Sequence, residues 1–209
     1  MSKYFSKEKW KMLLYLLSHP ADGFYEIRHN DKGSVPIAIL MILLYSVVIT
    51  FNMMSSGFVV NNTEPNSVDI LSVTFGWIVG YILFSVGNWS ITCLMSGEGR
   101  LKDIMITIGY STLPMSFFTV IATVFSWGIT EEEAAFYNMI IGIGTVWTVF
   151  LALLGIMTVH NFTLLKTIAT VVCTIFAMAI IIFIYLMFTD LIGQVITFFK
   201  SVYTELIFR

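Results

Sequence analysis

Residues 167–189, TIATVVCTIFAMAIIIFIYLMFT, decide the fold of this protein. These 23 positions contain no charged side chain, and about 20 apolar residues in a helix are enough to cross the hydrocarbon core of a bilayer. Four more apolar stretches of sufficient length lie at residues 34–60, 68–96, 103–128 and 135–160. In lipid, only helices and closed barrels provide hydrogen-bond partners for every backbone N–H and C=O group. Short polar connections join the five stretches. The sequence therefore predicts an all-α integral membrane bundle of five transmembrane helices.

The composition agrees with a membrane protein. Of 209 residues, 57% are apolar and 11% are charged, and the mean hydropathy is +0.87, whereas soluble domains contain about 25% charged residues. One membrane domain accounts for the whole length, because no connection is long enough for a second folded core. The formal net charge of -2 provides no extended basic surface, so a nucleic-acid partner is not expected.

The cysteines and histidines predict neither a metal site nor a cofactor. Cys93 and Cys173 stand alone inside apolar stretches, where we expect them to be small buried hydrophobic residues. His19, His29 and His160 are single residues without the spacing of metal ligands.

The lysines and arginines predict the orientation of the bundle, because cytoplasmic loops retain positive charge. Nine of the eleven precede the first span or lie in the second and fourth connections, and these are Lys3, Lys7, Lys9, Lys11, Arg28, Lys32, Arg100, Lys102 and Lys166. The first and third connections have none, and contain Glu64 and Glu131–Glu133 instead. The exceptions, Lys200 and Arg209, lie beyond the last span. The predicted N-terminus is cytoplasmic and the predicted C-terminus is extracytoplasmic.

Two helix starts are marked in the sequence. Thr130 is followed three residues later by Glu133, which is the pattern of a capping box. Asp69 stands where the second span begins, and an acidic side chain is favourable at that end of a helix. We therefore interpret these carboxylates as helix caps, with a cation-binding cluster at Glu131–Glu133 as the alternative.

Two flanking segments are predicted to lie at the membrane surface. Residues 1–33 form a cytoplasmic segment containing an amphipathic helix from Lys3 to Leu17, which binds membrane lipids. The apolar face of this helix consists of Trp10, Leu13, Leu14 and Leu17, and the alternative is that it docks onto a protein. Residues 190–209 form an extracytoplasmic amphipathic tail that lies on the outer surface or braces a neighbouring protein. The apolar positions of this tail are Leu191, Val195, Phe198, Val202 and Leu206.

The middle of each span lacks ionisable residues, since Asp69, Asp103, Asp190 and His160 all stand at span ends. Charged side chains persist inside a bilayer mainly where they have a function, so a coupled transporter acting alone is not expected. Neutral polar side chains leave a neutral-solute channel as an alternative, although hydrogen bonding between helices also accounts for them. These side chains are Asn52, Asn88, Ser90, Thr112, Ser116, Thr145 and Thr148.

Small residues recur at four-residue steps in three spans. In the second span Gly76 and Gly80 follow Ser72 and form a GxxxG groove, where another helix backbone can approach closely. Similar stripes in the fourth and fifth spans consist of Gly144, Thr148 and Ala152, and of Ala169, Cys173 and Ala177. We expect such stripes to pack helices within one bundle, with packing between chains as the alternative.

The most specific local feature is GYSTLP at residues 109–114, about a third of the way into the third span. Pro114 lacks an amide hydrogen, which leaves the carbonyl of Tyr110 without its helical donor and predicts a kink. Gly109 reduces crowding there, and the hydroxyls of Ser111 and Thr112 can satisfy freed backbone groups. The kink is expected to be a static packing feature, and a hinge is the alternative.

Taken with the five spans and the cytoplasmic N-terminus, GYSTLP resembles a motif of the Yip family, the Ypt/Rab-interacting membrane proteins. The resemblance includes residues 19–27, HPADGFYEI, and Trp147 in the fourth span. It implies a role near vesicle traffic and small GTPases for eukaryotic members. The acidic-Leu-Tyr-Gly-Pro segment of those members is absent here, which argues against a GTPase partner. The chain looks more like prokaryotic members, which can accompany transport systems.

The function expected from these observations is non-catalytic. The sequence has no nucleophile and base pair and no phosphate loop, and Gly97-Glu98-Gly99 is interpreted as a flexible turn. The leading hypothesis is an accessory or scaffold subunit in a bacterial cytoplasmic membrane, associated with other integral membrane subunits such as a carbohydrate ABC transporter permease. The alternatives are a trafficking or bilayer-shaping protein and a neutral-solute channel.

Overall fold

The computed structural model describes residues 6–61 and 63–208. Over these residues the helices are α1 (Lys7–Ser18), α2 (Pro20–His29), α3 (Val35–Ser55), α4 (Ile70–Leu94), α5 (Leu101–Ser111), α6 (Leu113–Ser126), α7 (Ala134–His160) and α8 (Leu164–Ile207). Short 3-10 turns at Pro65–Ser67 and Glu131–Glu133 precede α4 and α7. Lys3 and Arg209, which were used in the sequence analysis, lie outside the described residues.

The predicted all-α bundle of five spans is confirmed. Five helical segments in the described part of the chain are long and apolar enough to cross a membrane. They are α3, α4, the combined α5 and α6, Glu131–His160, and α8.

The helix ends follow local sequence signals. Asp69 Oδ1 accepts a hydrogen bond from the Leu71 amide at 3.0 Å and caps α4. Thr130 and Glu133 form the predicted capping box, in which the Thr130 amide donates to Glu133 Oε2 at 3.1 Å. Asn161 ends α7 in the left-handed conformation, with φ of 54°. These bonds confirm the predicted cap at Asp69 and the predicted capping box at Thr130 and Glu133, which lies at the 3-10 turn before α7.

The bundle is built around α3, which packs against α4, α5 and α6. Helix α7 packs against α2, α5 and α6, and α8 lies at the periphery beside α4. We call the end with Arg28, Arg100, Lys102 and Lys166 the basic end, and the end with Glu64 and Glu131–Glu133 the acidic end. A large apolar core cluster lies towards the basic end, where α1 and α2 meet α3, α5 and α7.

Polar side chains inside the bundle mostly bond to the helices themselves. Thr50, Ser85 and Thr123 each donate to the carbonyl four residues earlier, at 2.8 Å. Between helices, Asn52 Nδ2 donates to Thr123 Oγ1 at 2.8 Å. All seven side chains named as channel candidates bond either to a carbonyl three or four residues earlier or to a group on a neighbouring helix. Their polarity is therefore explained by helix packing.

Helix α8 differs from the prediction because the chain does not break near residue 190. It continues for 44 residues, about 66 Å at 1.5 Å per residue, which is more than twice the thickness of a hydrocarbon core. Gly193 is the only glycine in α8 and no proline interrupts it, so nothing in the local sequence ends the helix at Asp190. The predicted fifth span and the predicted tail are therefore parts of one helix.

Two predictions about small residues in the spans are wrong. Cys93 and Cys173 are exposed on the outside of the bundle, not buried. In the predicted stripe of the fifth span, Ala169 and Cys173 are exposed and only Ala177 is half-buried, so α8 packs against α4 mainly through another face. The buried residues of α8 are Thr167, Thr170 and Thr174. One hydrogen bond joins the two helices, from Asn88 Nδ2 to Thr174 Oγ1 at 3.1 Å.

The predicted GxxxG groove has no helix beside it within the described chain. A Cβ atom added at Gly76 or Gly80 would meet nothing within 4 Å. The expectation that this stripe packs helices within the bundle is therefore wrong. Helix α8 contacts α4 at Gly87 instead, and its residues from 182 onwards are exposed.

Candidate functional site

The GYSTLP motif produces a helix break at the position of the predicted kink. Helix α5 ends at Ser111 and α6 begins at Leu113, with Pro114 in its first turn. Ser111 Oγ donates to the carbonyl of Thr107 at 2.7 Å, and Thr112 Oγ1 donates to that of Gly109 at 2.8 Å. The hydroxyls thus bond to backbone carbonyls on the α5 side of the break.

Helix α7 completes the hydrogen bonding of the break from the other side. The amide of Met115 has no helical partner and donates to Thr148 Oγ1 at 3.1 Å. One turn away, a Cβ atom at Gly144 would lie 2.8 Å from Phe118 Cβ, so this glycine allows α6 and α7 to approach closely. Ala152 continues the same stripe and is half-buried. This small-residue stripe does pack helices within the bundle.

Gly109 and Tyr110 connect the break to α3. A Cβ atom at Gly109 would lie 2.6 Å from Ala38 Cβ and 2.7 Å from the Ala38 carbonyl oxygen. Tyr110 is 1% exposed, and its hydroxyl oxygen accepts the Ser34 amide at 3.2 Å, just before α3 begins. Gly109 therefore allows the close approach of α3 to α5, a role beyond the predicted relief of crowding at the kink.

Helices α1 and α2 form a hairpin that packs against the bundle. The hairpin runs along α7 away from the basic end and then returns to it. The Phe24 ring packs closely against the backbone of Gly155 in α7, and Arg28 Nη1 donates a hydrogen bond to Asp103 at the basic end. Met12, Leu13 and Leu16 enter the core cluster together with Phe24 and Ile27. We call residues 7–29 the N-terminal hairpin.

The structure corrects the predicted apolar face of α1. Leu13 is buried as part of the core, but Leu14 is 64% exposed and Trp10 is 36% exposed. Leu17 is half-buried at the edge of the core. The helix is rotated so that its central apolar positions meet the bundle rather than lipid, and it docks on its own chain instead of lying free on the membrane surface.

A cavity of about 410 Å³ lies between the N-terminal hairpin and the helix break. It is lined by Leu14, Leu17, Leu113, Pro114, Phe117, Phe118 and Trp147. These side chains come from α1, α6 and α7, and all are apolar or aromatic. Residues of the GYSTLP motif, of α1 and Trp147 of α7 therefore line the same cavity.

The basic end contains a cluster of ion pairs around Asp103, whose side chain is 1% exposed. Asp103 Oδ2 accepts from Arg100 Nε at 2.7 Å and from Arg28 Nη1 at 3.4 Å. Arg100 also pairs with Asp31 at 2.9 Å, and Lys102 pairs with Asp31 at 2.7 Å. These contacts tie α2 and the segment after it to the start of α5.

The ion pairs shift the pKa values of their exposed members. The hydrogen bond from Lys102 lowers the pKa of the Asp31 carboxyl, and the nearby Arg100 charge acts in the same direction. The hydrogen bond to Asp103 raises the pKa of the Arg100 guanidinium. Both shifts favour the charged forms of Asp31 and Arg100.

The connection between α4 and α5 wraps around His160, the last residue of α7. The ring Nδ1 accepts the Gly99 amide at 3.1 Å, and the Arg28 guanidinium donates to the carbonyl of Glu98. A Cβ atom at Gly97 or Gly99 would lie 2.6 or 2.5 Å from the His160 ring. The Gly97-Glu98-Gly99 segment is thus closely packed, and the interpretation as a flexible turn is wrong.

Sequence reasoning missed this cluster because its members come from distant parts of the chain. Arg100 and Asp103 are three residues apart at a helix start, which is a local signal for pairing. No local signal connects Arg28 with Asp103, or His160 with Gly99. Among the described residues no group of three His, Cys, Asp or Glu side chains could hold a metal ion.

The sequence model of the Yip1 domain family matches residues 14–187. The chain belongs to the Yip1 family. The matched range contains most of the N-terminal hairpin, the helix break and the ion-pair cluster, and it ends within α8 shortly before Asp190. Comparison with curated proteins and with solved structures gives no significant match.

Membership of the Yip1 family fits the resemblance carried by GYSTLP, and the family is not known as enzymatic. In this Yip1 protein the motif residues have structural tasks: Gly109 and Tyr110 hold α3, and Pro114 starts α6. The cavity beside the break and the exposed face of α4 are therefore candidate binding surfaces.

Proposed function

We propose that this Yip1 protein is a non-catalytic scaffold or accessory subunit that binds another integral membrane protein through the acidic-end half of α8 and the adjoining face of α4. One observation carries the proposal: every residue from 182 to 208 is exposed. An apolar helical segment of this length that is exposed on every side offers a large surface for a partner protein.

The two surfaces adjoin because α8 starts beside α4 and then leaves it. Thr174 and Met178 of α8 lie against Asn88 and Gly87 of α4. Further along α8, every residue from 182 to 208 is exposed, and a Cβ atom at Gly80 of α4 would meet nothing within 4 Å. The gap between the diverging helices is bordered on one side by the GxxxG groove, where a partner helix can approach the backbone of α4 closely.

The proposed partner is a permease subunit of a bacterial ABC importer for carbohydrates. Support comes from the resemblance to prokaryotic Yip members, which can accompany transport systems, and from the absence of ionisable residues in the middle of the spans. In the predicted orientation the basic end faces the cytoplasm, and the extension of α8 beyond the acidic end faces the other side.

The proposal predicts that a partner co-purifies and that closing the GxxxG groove releases it. The full chain is extracted from its host in a mild detergent, and associated proteins are quantified by mass spectrometry. Gly80→Leu is expected to lose a stoichiometric membrane partner at least tenfold, because the added side chain blocks backbone approach. Gly142→Leu on α7 is the matched control, since Gly142 is also open within 4 Å.

A monomer without a stoichiometric partner contradicts the scaffold function, as does equal partner retention by Gly80→Leu and Gly142→Leu. Identification of the partner as an ABC permease supports the transporter-associated role. A different membrane protein supports the scaffold function and contradicts the transporter assignment.

The N-terminal hairpin favours a second candidate function, bilayer shaping. The hairpin packs beside the basic-end half of the bundle only. The leaflet on that side would therefore contain more protein than the opposite leaflet. Trp10, Tyr15 and Tyr25 are exposed on its surface, and such side chains favour the membrane interface. An inclusion confined to one leaflet favours curvature, as amphipathic helices in one leaflet do.

Under this second function, Trp10→Ser with Tyr15→Ser is expected to reduce vesicle remodelling by the reconstituted chain several-fold. These side chains are outside the core cluster, whereas deletion of residues 1–18 would also remove Met12, Leu13 and Leu16 from it. Electron microscopy of the vesicles measures the effect. Unchanged remodelling by the double variant, or no remodelling by the wild type, contradicts bilayer shaping.

A further inference from the structure

The cavity beside the helix break lies at the depth of lipid chains. Trp147 in its wall is 13 residues from His160 along α7, which is about 20 Å from the basic end. Its other walls are Leu14 and Leu17 on α1, and Phe117 and neighbouring residues on α6. A volume of about 410 Å³ is within the range of small-molecule sites.

The helix break exposes little polar backbone to this cavity. Pro114 has no amide hydrogen, and the amide of Met115 is already bonded to Thr148 at 3.1 Å. The hydroxyl of Thr112 bonds to the Gly109 carbonyl at 2.8 Å. The lining is therefore dry and apolar, and the favourable occupant is an apolar chain rather than water. A helix about 10 Å across is too large for a cavity of this volume.

Cations stand on the same helix face, towards the basic end. Lys7 and Lys11 are exposed and precede Leu14 at four- and three-residue steps, so the three side chains share one face of α1. Trp10 lies beside them, partly exposed. From Lys7 to Leu17 the helix rises about 15 Å, which places the lysines near headgroup level when the leucines are among the chains.

We propose that the cavity, together with Lys7 and Lys11 towards the basic end of α1, binds one phospholipid with an anionic headgroup. One acyl chain fills the cavity between α1 and the helix break, and the lysines contact the phosphate and the additional negative charge. The lipid covers the apolar surface left open by Leu14, which is 64% exposed. The inference is independent of the proposed scaffold function, because the partner surface lies on α4 and α8.

The experiment uses the delipidated full chain with an equimolar mixture of phosphatidylglycerol and phosphatidylethanolamine that have identical acyl chains. Native mass spectrometry counts the lipids retained. We expect one phosphatidylglycerol per chain, preferred by about fivefold for each contributing lysine. Replacement of Lys7 and Lys11 by glutamine is expected to remove the preference while a lipid is still bound. Lys200→Gln, on the exposed tail of α8, is the charge control and keeps the preference.

A second pair of variants tests the cavity itself. Leu14→Trp places a larger side chain at the cavity and is expected to abolish retention, whereas Leu71→Trp is the matched control because Leu71 is also an exposed leucine, at 80%. Circular dichroism checks that both variants keep the wild-type helix content. Equal retention of the two lipids by the wild type, equal behaviour of the two tryptophan variants, or a preference that survives loss of both lysines overturns the proposal.

Discussion

Replacing Asp103 by asparagine is expected to lower the free energy of unfolding by about 3 kcal/mol, because breaking a buried ion pair leaves uncompensated charge. The carboxylate is 1% exposed and accepts from both Arg28 and Arg100. We take the lower end of the usual range because the Arg100 side chain is 43% exposed and retains some hydration. Tryptophan fluorescence during thermal unfolding in detergent measures the change, as a decrease of about 6–12 °C.

Asp31→Asn is the control for this prediction. Asp31 belongs to the same cluster but its side chain is 62% exposed, and exposed pairs contribute at most about 1 kcal/mol. The two variants remove the same charge from the same end of the protein. Equal destabilisation by both would show that net charge, rather than the buried position of Asp103, determines the effect.

Gly109→Ala is expected to destabilise the protein by about 1–3 kcal/mol through overpacking. The added methyl group would lie 2.7 Å from the Ala38 carbonyl oxygen and 2.8 Å from its Cα. These are backbone atoms, so the clash is relieved only if α3 moves away from α5. Such a movement also loosens the bond between the Tyr110 hydroxyl and the Ser34 amide. Thermal unfolding measures the change in stability. Spin labels placed on α3 and α5 measure the distance between the two helices.

Gly142→Ala provides the comparison, because a Cβ at Gly142 meets nothing within 4 Å. Alanine is favoured over glycine inside a helix by up to about 1 kcal/mol, so this variant is expected to be neutral or slightly more stable. The two substitutions have opposite expected signs. A stabilising effect at Gly109 would contradict the close packing of α3 against α5.

Local signals in the sequence predicted several helix ends, although not the continuation of α8 past residue 190. The capping box at Thr130 and the cap at Asp69 depend on residues within one helical turn, so their neighbours in sequence are also their partners in space. Pro114 breaks the third span for the same local reason. Where a prediction required knowing which side of a helix meets another helix, the sequence was a poorer guide: the stripe at Gly144 packs, and the equally regular stripe at Gly76 does not.

The number and helical character of the spans followed from the sequence alone, because lipid allows a long uncharged segment such as residues 167–189 almost no alternative to a helix. Tertiary structure alone decided which faces are covered. In the folded chain Leu13 is buried in the core and Leu14 faces outwards. Arg28 contacts Asp103, which is 75 positions away in the sequence. Lipid and protein interiors are both apolar, so hydropathy does not distinguish a face that meets lipid from one that meets a helix. Only the fit between helices does so.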